Sequence, residues 1–259
     1  MTRVRLFGVE IDAVRMQDAA DRVLSLTQEK GKPCQFVVTP NVDHVLLLQE
    51  NDGLRRAYAD ASLVIADGWP VVFASQLLGK PLPERVPGSD IVPAVFGAVR
   101  SSRPLRVFLL GAGPGVAERA RQRIHDRWHG VQVTGVYSPP FGFEKSAVEN
   151  EAILGRIEEA APHLLLIGLG APKQELWVHK YRARIKAPAA LCIGATIDFI
   201  AGEKPRAPRW VQRVGFEWFH RMMSEPKRLL PRYAKNAVTF PGIVVREWRG
   251  RAPVSPRST

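Results

Sequence analysis

The 259-residue sequence contains only two cysteines, Cys34 and Cys192, where a disulfide framework would need more. Each stands in a short apolar run, CQFVV and ALCIG, so both read as buried thiols of a reducing compartment. Long hydrophobic runs are missing too. The longest, LLLIGLGAP from Leu164, is interrupted by glycine and falls short of the ~20 apolar residues that cross a bilayer, so no integral membrane protein is expected. At the N-terminus, MTRVRLFGVEIDAVRM brings acids early and has no apolar core before a small-residue cleavage site, so no signal peptide is expected. Repeats and low-complexity stretches are absent until the last ten or so residues, which read as a frayed tail. With 46% apolar and 24% charged residues, the rest has the composition of a folded chain rather than a disordered one.

The formal charge is +12, and its distribution matters more than its size. From Glu203 to Thr259 there are 13 Lys and Arg against four Glu, a net of +9, which leaves +3 for the first 202 residues. A nucleic-acid-binding module predicts basic residues spread over one face of the body. Here they gather with tryptophans at one end, which points to a specialised anionic partner surface and not to nucleic acid.

QFVVT (35–39), SLVIA (62–66), LRVFLLG (105–111), VQVTGVY (131–137), HLLLIGLG (163–170) and AALCIGA (189–195) are short runs, mostly apolar throughout, as strands covered on both faces require. Amphipathic stretches such as VDHVLLLQENDGLRRAYAD and SAVENEAILGRIEEA lie between them. This alternation predicts an α/β fold, a doubly wound, mostly parallel Rossmann-like sheet whose crevice opens at the carboxyl ends of the strands. The alternation stops after Ala195. Residues 206–233 read as helices broken by Pro226 and Pro231, giving a catalytic body over 1–202, a basic, aromatic-rich helical appendage over 203–245 and a flexible tail over 246–259.

The motifs fall at strand ends. Thr39-Pro40-Asn41 starts a helix, with Asn41 or Thr39 as its cap, and a helix start at a crevice also presents backbone N–H groups to an anion. Asp67, in Ala66-Asp67-Gly68-Trp69-Pro70, is either a second cap or a general base. Arg85, in Arg85-Val86-Pro87-Gly88-Ser89-Asp90, suits bidentate phosphate contact. Gly111-Ala112-Gly113-Pro114-Gly115 resembles a dinucleotide fingerprint, but the third glycine comes one position early and the next strand ends in Tyr137-Ser138, not in an acid for a ribose. A nucleotide-dependent oxidoreductase is therefore the weaker reading, and the loop is kept as a nucleotide or diphosphate contact through Gly111 and Gly113. Gly168 and Gly170 precede Pro172-Lys173-Gln174-Glu175, three polar side chains at one helix start. Asp198, in GATIDFIAG, either serves the crevice or pairs with a nearby arginine.

In this order and spacing, TPNVDH, ADGWP, ERVPGSD, GLGAPKQE, GATIDFIAGEKPRAPRW and GFEWFHRMMSEPKRLLPRY resemble the WecG/TagA/CpsF family of bacterial glycosyltransferases, from about Phe7 to Tyr233. The resemblance implies an inverting, metal-independent enzyme without a cofactor. It would move a sugar, often N-acetylmannosamine and in some relatives glucose, from a UDP-sugar to a sugar on an undecaprenyl diphosphate lipid at the cytoplasmic face of the membrane. It also implies Asp67 as general base, Thr39 and Asn41 as the polar pair beside it, Arg85 and Gln174 in the pocket, and the arginines Arg206, Arg209, Arg213, Arg221, Arg228 and Arg232 in the appendage.

Independently of the resemblance, no D-x-D pair of the kind that holds a metal–diphosphate complex occurs in the sequence. Charge on a departing diphosphate would then be met by arginines and helix starts. In the appendage, Trp210, Val211, Val214, Trp218 and Met222 share a helical stripe with Phe219 beside it, and Arg206, Arg209 and Arg213 recur on another side. That is the pattern of an interfacial helix on an anionic membrane, or of one packed on the body or in a homo-oligomer interface. A peripheral protein at the inner face of the cell membrane is the expectation.

Overall fold

The computed structural model describes residues 2–29, 31–100, 102–208, 217–224 and 226–250. Along the chain come β1 (Arg3–Leu6), β2 (Val9–Asp12), α1 (Met16–Leu26), β3 (Gln35–Val38), α2 (Val42–Glu50), α3 (Asp52–Ala59), β4 (Leu63–Val64), α4 (Trp69–Leu77) and α5 (Gly88–Ala98). They are followed by β5 (Leu105–Gly111), α6 (Val116–Arg127), β6 (Val131–Tyr137), α7 (Ala147–Ala160), β7 (Leu164–Gly168), α8 (Lys173–Tyr181), β8 (Ala189–Cys192), α9 (Thr196–Ala201), α10 (Glu217–Ser224) and α11 (Pro226–Trp248). All six predicted strand runs form one parallel sheet, in the order β4-β3-β8-β7-β5-β6.

Strand alternation divides the core between two layers. Phe36, Val38, Leu165, Ile167, Ala190 and Cys192 face the cluster built by α2, α3, α4, α7 and α8. Val37, Leu164, Leu166, Ala189 and Leu191 face the one built by α1, α5, α6 and α9. Neighbouring strands β3 and β8 therefore send their following helices, α2 and α9, to opposite faces. Such a divergence opens a crevice at the strands' carboxyl ends.

Two local expectations are corrected. The stretch from Val42 to Asp60 is two helices, because Asn51 leaves helical geometry and its side chain caps α3 by accepting from Leu54 N–H at 2.8 Å. Pro231 does not break the appendage: it lies inside α11, as does Pro241, and the helix continues past residue 245 to Trp248. Each proline removes one backbone donor, a loss that packing offsets here. Leu229, Phe240 and Ile243 are buried, and the Phe240 ring stands 5.6 Å from Phe7 in the turn of the antiparallel β1–β2 hairpin. Arg246 donates to Gln49 at 2.7 Å, and Lys80 approaches Glu247 at 3.8 Å. The appendage helix is thus docked on α2 and shares the core of that layer.

Burial pushes the Cys34 thiol from its ordinary 9.0 up to about 12 and raises Cys192 as well. At pH 8 iodoacetamide should therefore alkylate Cys34 of the folded protein about a thousand times more slowly than an exposed thiol, with full labelling on unfolding, as mass spectrometry would read it. The unfolded thiol ionises near 9 and the folded one does not, so stability should fall as pH rises from about 9 toward 12.

Candidate active site

Backbone and side-chain bonds tie the strand ends together. Thr39 Oγ1 donates to Cys192 O at 3.2 Å, joining the ends of β3 and β8. Asn41 caps α2, its Oδ1 accepting from Asp43 N–H at 3.0 Å and His44 N–H at 3.4 Å. Asp67 N–H donates to Pro40 O at 2.8 Å, and a Cβ added at Gly68 would lie 3.6 Å from Asn41 Cβ. Asp67 and Asn41 are therefore neighbours across the β3–β4 edge. Val86 N–H donates to Ala66 O at 2.8 Å, which lays the Arg85 segment beside the same strand end.

Behind Asn41 runs a buried chain that the motifs did not announce. His44 Nδ1 lies 2.8 Å from Asn41 Oδ1, and its Nε2 lies 3.3 Å from Glu175 Oε1. Gln174 Nε2 donates to the same carboxylate oxygen at 2.7 Å, while Gln174 Oε1 accepts from Gly194 N–H at 3.2 Å. Gln174 is 2% exposed and Glu175 0%, so in this structure both stand behind the crevice wall and reach it through Gly194 and His44. Burial, and then the charge of Glu175, raises the neighbouring Tyr58 hydroxyl well above its ordinary range. His44 was visible in TPNVDH, three residues after the cap. What hid its role was that its partner comes from α8, 131 residues away.

The arginines take definite places. Arg206 donates to Ser89 Oγ at 3.0 Å and pairs with Asp90, whose other oxygen lies 3.5 Å from Arg85. Asp198 sits half-buried in the first turn of α9. Arg232 pairs with Asp43 in the first turn of α2, and Asn236 donates to the same carboxylate at 2.7 Å. Burial alone would lower the Arg232 guanidinium, but the hydrogen bond and charge of Asp43 raise it above the ordinary arginine value. Arg209 and Arg213, with Trp210, lie outside the described residues, as do the side chains of Arg221, Arg228 and Trp218.

Elsewhere the glycine loops have a packing cause. A Cβ at Gly111 would stand 2.4 Å from Gly168 O, and one at Gly168 would stand 2.8 Å from Gly194 O, so the ends of β5 and β7 approach their neighbours this closely only as glycines. Ser138 Oγ, where a ribose-binding acid would be expected, donates to Gly111 O at 3.0 Å and approaches Gly113 O at 3.3 Å. Gly170, with φ of 80°, turns the chain into α8. Lys173 points outward, 3.2 Å from Glu144 and over the Phe141 ring. A cavity of about 360 Å³ lies in the other layer, where Ser89 and Arg206 meet Trp128 and Phe199. Among the described residues, no group of three or more His, Cys, Asp or Glu side chains is gathered as a metal site.

This arrangement of Thr39, Asn41, Asp67 and Arg85 belongs to motifs found throughout the chain, and the family's sequence profile matches residues 4–253. The chain belongs to the glycosyl transferase WecG/TagA/CpsF family. Among its relatives is the N-acetylglucosaminyldiphosphoundecaprenol N-acetyl-β-D-mannosaminyltransferase of Staphylococcus aureus strain MRSA252, 27% identical over 227 residues, or 88% of this chain and 87% of the relative. The proteins of the same name from strains MW2 and NCTC 8325 are each 26% identical over the same length. The chain is therefore a glycosyltransferase and not an oxidoreductase.

Proposed function

We propose that this glycosyltransferase moves N-acetylmannosamine or glucose from a UDP-sugar to a sugar carried on undecaprenyl diphosphate, with inversion and without a metal ion, at the cytoplasmic face of the membrane. The observation that carries this reading is a carboxylate, Asp67, at a crevice strand end beside the capped start of α2. The acceptor hydroxyl forms its bond to the sugar's anomeric carbon as the bond to UDP breaks. Its proton passes to Asp67, and UDP leaves with the bonding electrons. Asn41 and Thr39 fix the strand end against which the hydroxyl is held, and Arg85 lies on the diphosphate side. A charge-assisted hydrogen bond from arginine to a phosphate oxygen contributes roughly 1.5 to 3 kcal/mol, so Arg85 with one or two appendage arginines would lower the barrier appreciably. The names of the Staphylococcus relatives support the lipid-linked acceptor and N-acetylmannosamine as the first donor to try.

The test is UDP release from a panel of UDP-sugars, with and without a lipid diphosphate sugar acceptor. Acceptor-dependent release from one donor is the expected result, and release from none would overturn the reading. Turnover in excess EDTA should match that in Mg²⁺. A large loss restored only by Mn²⁺ would show that a metal, and not arginine, holds the diphosphate.

A further inference from the structure

Between β6 and α7 runs the loop 138–146, SPPFGFEKS, and in it one large apolar side chain is exposed, Phe141, by 99%. The backbone that carries this ring is tied down on both sides. Ser138 Oγ is bonded to the carbonyls of Gly111 and Gly113. Beyond the ring, Phe143 is buried in the core, and the buried Asn150 donates to Phe143 O at 2.9 Å and to Ser146 O at 2.7 Å. Asn150 is itself fixed, its Oδ1 accepting from Trp177 Nε1 at 2.7 Å. Pro139 and Pro140 restrict φ ahead of Phe141, and Gly142, with φ of 83°, turns the chain after it. A ring left in water adds no burial to the fold, yet the loop is built to hold it in one place.

That place is the rim of the crevice. Ser138 ties the loop to the glycines at the carboxyl end of β5, and Lys173, the first residue of α8 after β7, sets its ammonium 4.7 Å from the centre of the Phe141 ring and 3.2 Å from Glu144. The cation–π contact orients the ring and leaves its other face open. From β4, which Asp67 follows, to β7 the sheet makes three steps of about 4.8 Å, roughly 14 Å in all. An extended nucleoside diphosphate with its sugar end at Asp67 can cover that span, and its base then arrives beside the glycine loop and Lys173. The acceptor sugar has to bring its hydroxyl to Asp67, so its ring lies too near β4 to meet Phe141. A base asks for a flat apolar partner with room around its edge, and an exposed aromatic ring supplies one.

We propose that Phe141 is the platform on which the uracil base of the donor stacks, held in position by Lys173, so that loop 138–146 recognises the nucleotide at the far end of the crevice from Asp67. This rests on the reading that the donor is a UDP-sugar.

The experiment is calorimetric titration of the full chain with UDP and with inorganic pyrophosphate, beside steady-state kinetics in donor and acceptor, for Phe141→Ala and Phe141→Tyr. Because the side chain is exposed, both variants should melt with the parent. Phe141→Ala should bind UDP about tenfold more weakly or worse, the scale of one lost base–aromatic stack, and should bind pyrophosphate, which has no base, as the parent does. Its donor KM should rise by the same factor with kcat little changed, the mark of binding shared by ground and transition states, and its acceptor KM should stay put. Phe141→Tyr keeps the ring and should keep the parent's UDP affinity. Unchanged UDP affinity in Phe141→Ala would overturn the proposal. So would a rise in acceptor KM with donor KM unmoved, because the ring would then hold the acceptor. A parent chain that binds no UDP would sink the donor reading and the platform together, whereas a parent and a Phe141→Ala variant that bind UDP equally well sink the platform alone.

Discussion

Asp67→Asn should lower turnover by about two to four orders of magnitude while leaving UDP binding nearly intact, the usual consequence of removing a general base. The substitution keeps the shape of the side chain and the Asp67 N–H bond to Pro40 O, so the strand end should not move. Other carboxylates near the crevice are poorly placed to substitute. Asp43 is engaged by Arg232 and Asn236, Asp90 by Arg85 and Arg206, and Glu175 is wholly buried. Asp198 is the remaining competitor, so Asp198→Asn is the informative companion. Steady-state rates for both variants, with a separate titration of UDP, decide between them. Near-normal turnover of Asp67→Asn with a collapse in Asp198→Asn would move the base to α9.

The sequence made the sheet legible because its strands are covered on both faces, and short, mostly apolar runs such as LRVFLLG have few other uses. Strand-end motifs followed from the same logic, since a residue just past such a run stands at the crevice. Three features were hidden. The β1–β2 hairpin pairs RVRL with VEID around Phe7-Gly8, but its strands are four residues each and gain their burial from α11, far away in sequence. The glycines of GAGPG resemble a ligand loop, yet Gly111 is demanded by the carbonyl of Gly168, and contact between strands cannot be read from one strand. The third was the partner of His44. A histidine three residues after a cap reads as an ordinary helix residue until α8 brings Glu175 against it.

That buried pair predicts the second large effect, this time on stability. Glu175 has no exposed surface, and its Oε1 is held by Gln174 and faced by His44, itself only 6% exposed. Removing one partner of a buried ionisable pair strands the other, at a cost of about 3 to 5 kcal/mol, whereas replacing both by apolar groups of similar size costs far less. His44→Leu should therefore lower the melting temperature by roughly 6 to 20 °C, given about 2 to 4 °C per kcal/mol for a domain of this size. His44→Leu/Glu175→Leu should recover much of that loss, a coupling that a double-mutant cycle measures directly. Transfer should not recover with it. Without the imidazole the hydrogen-bonded link from α8 to Asn41 is cut, so the cap beside Asp67 loses that support, and the stable double variant should turn over slowly with UDP affinity little changed. If the double variant melts no higher than His44→Leu, the carboxylate was never the stranded group, and the chain from Gly194 to Asn41 does not hold the crevice wall.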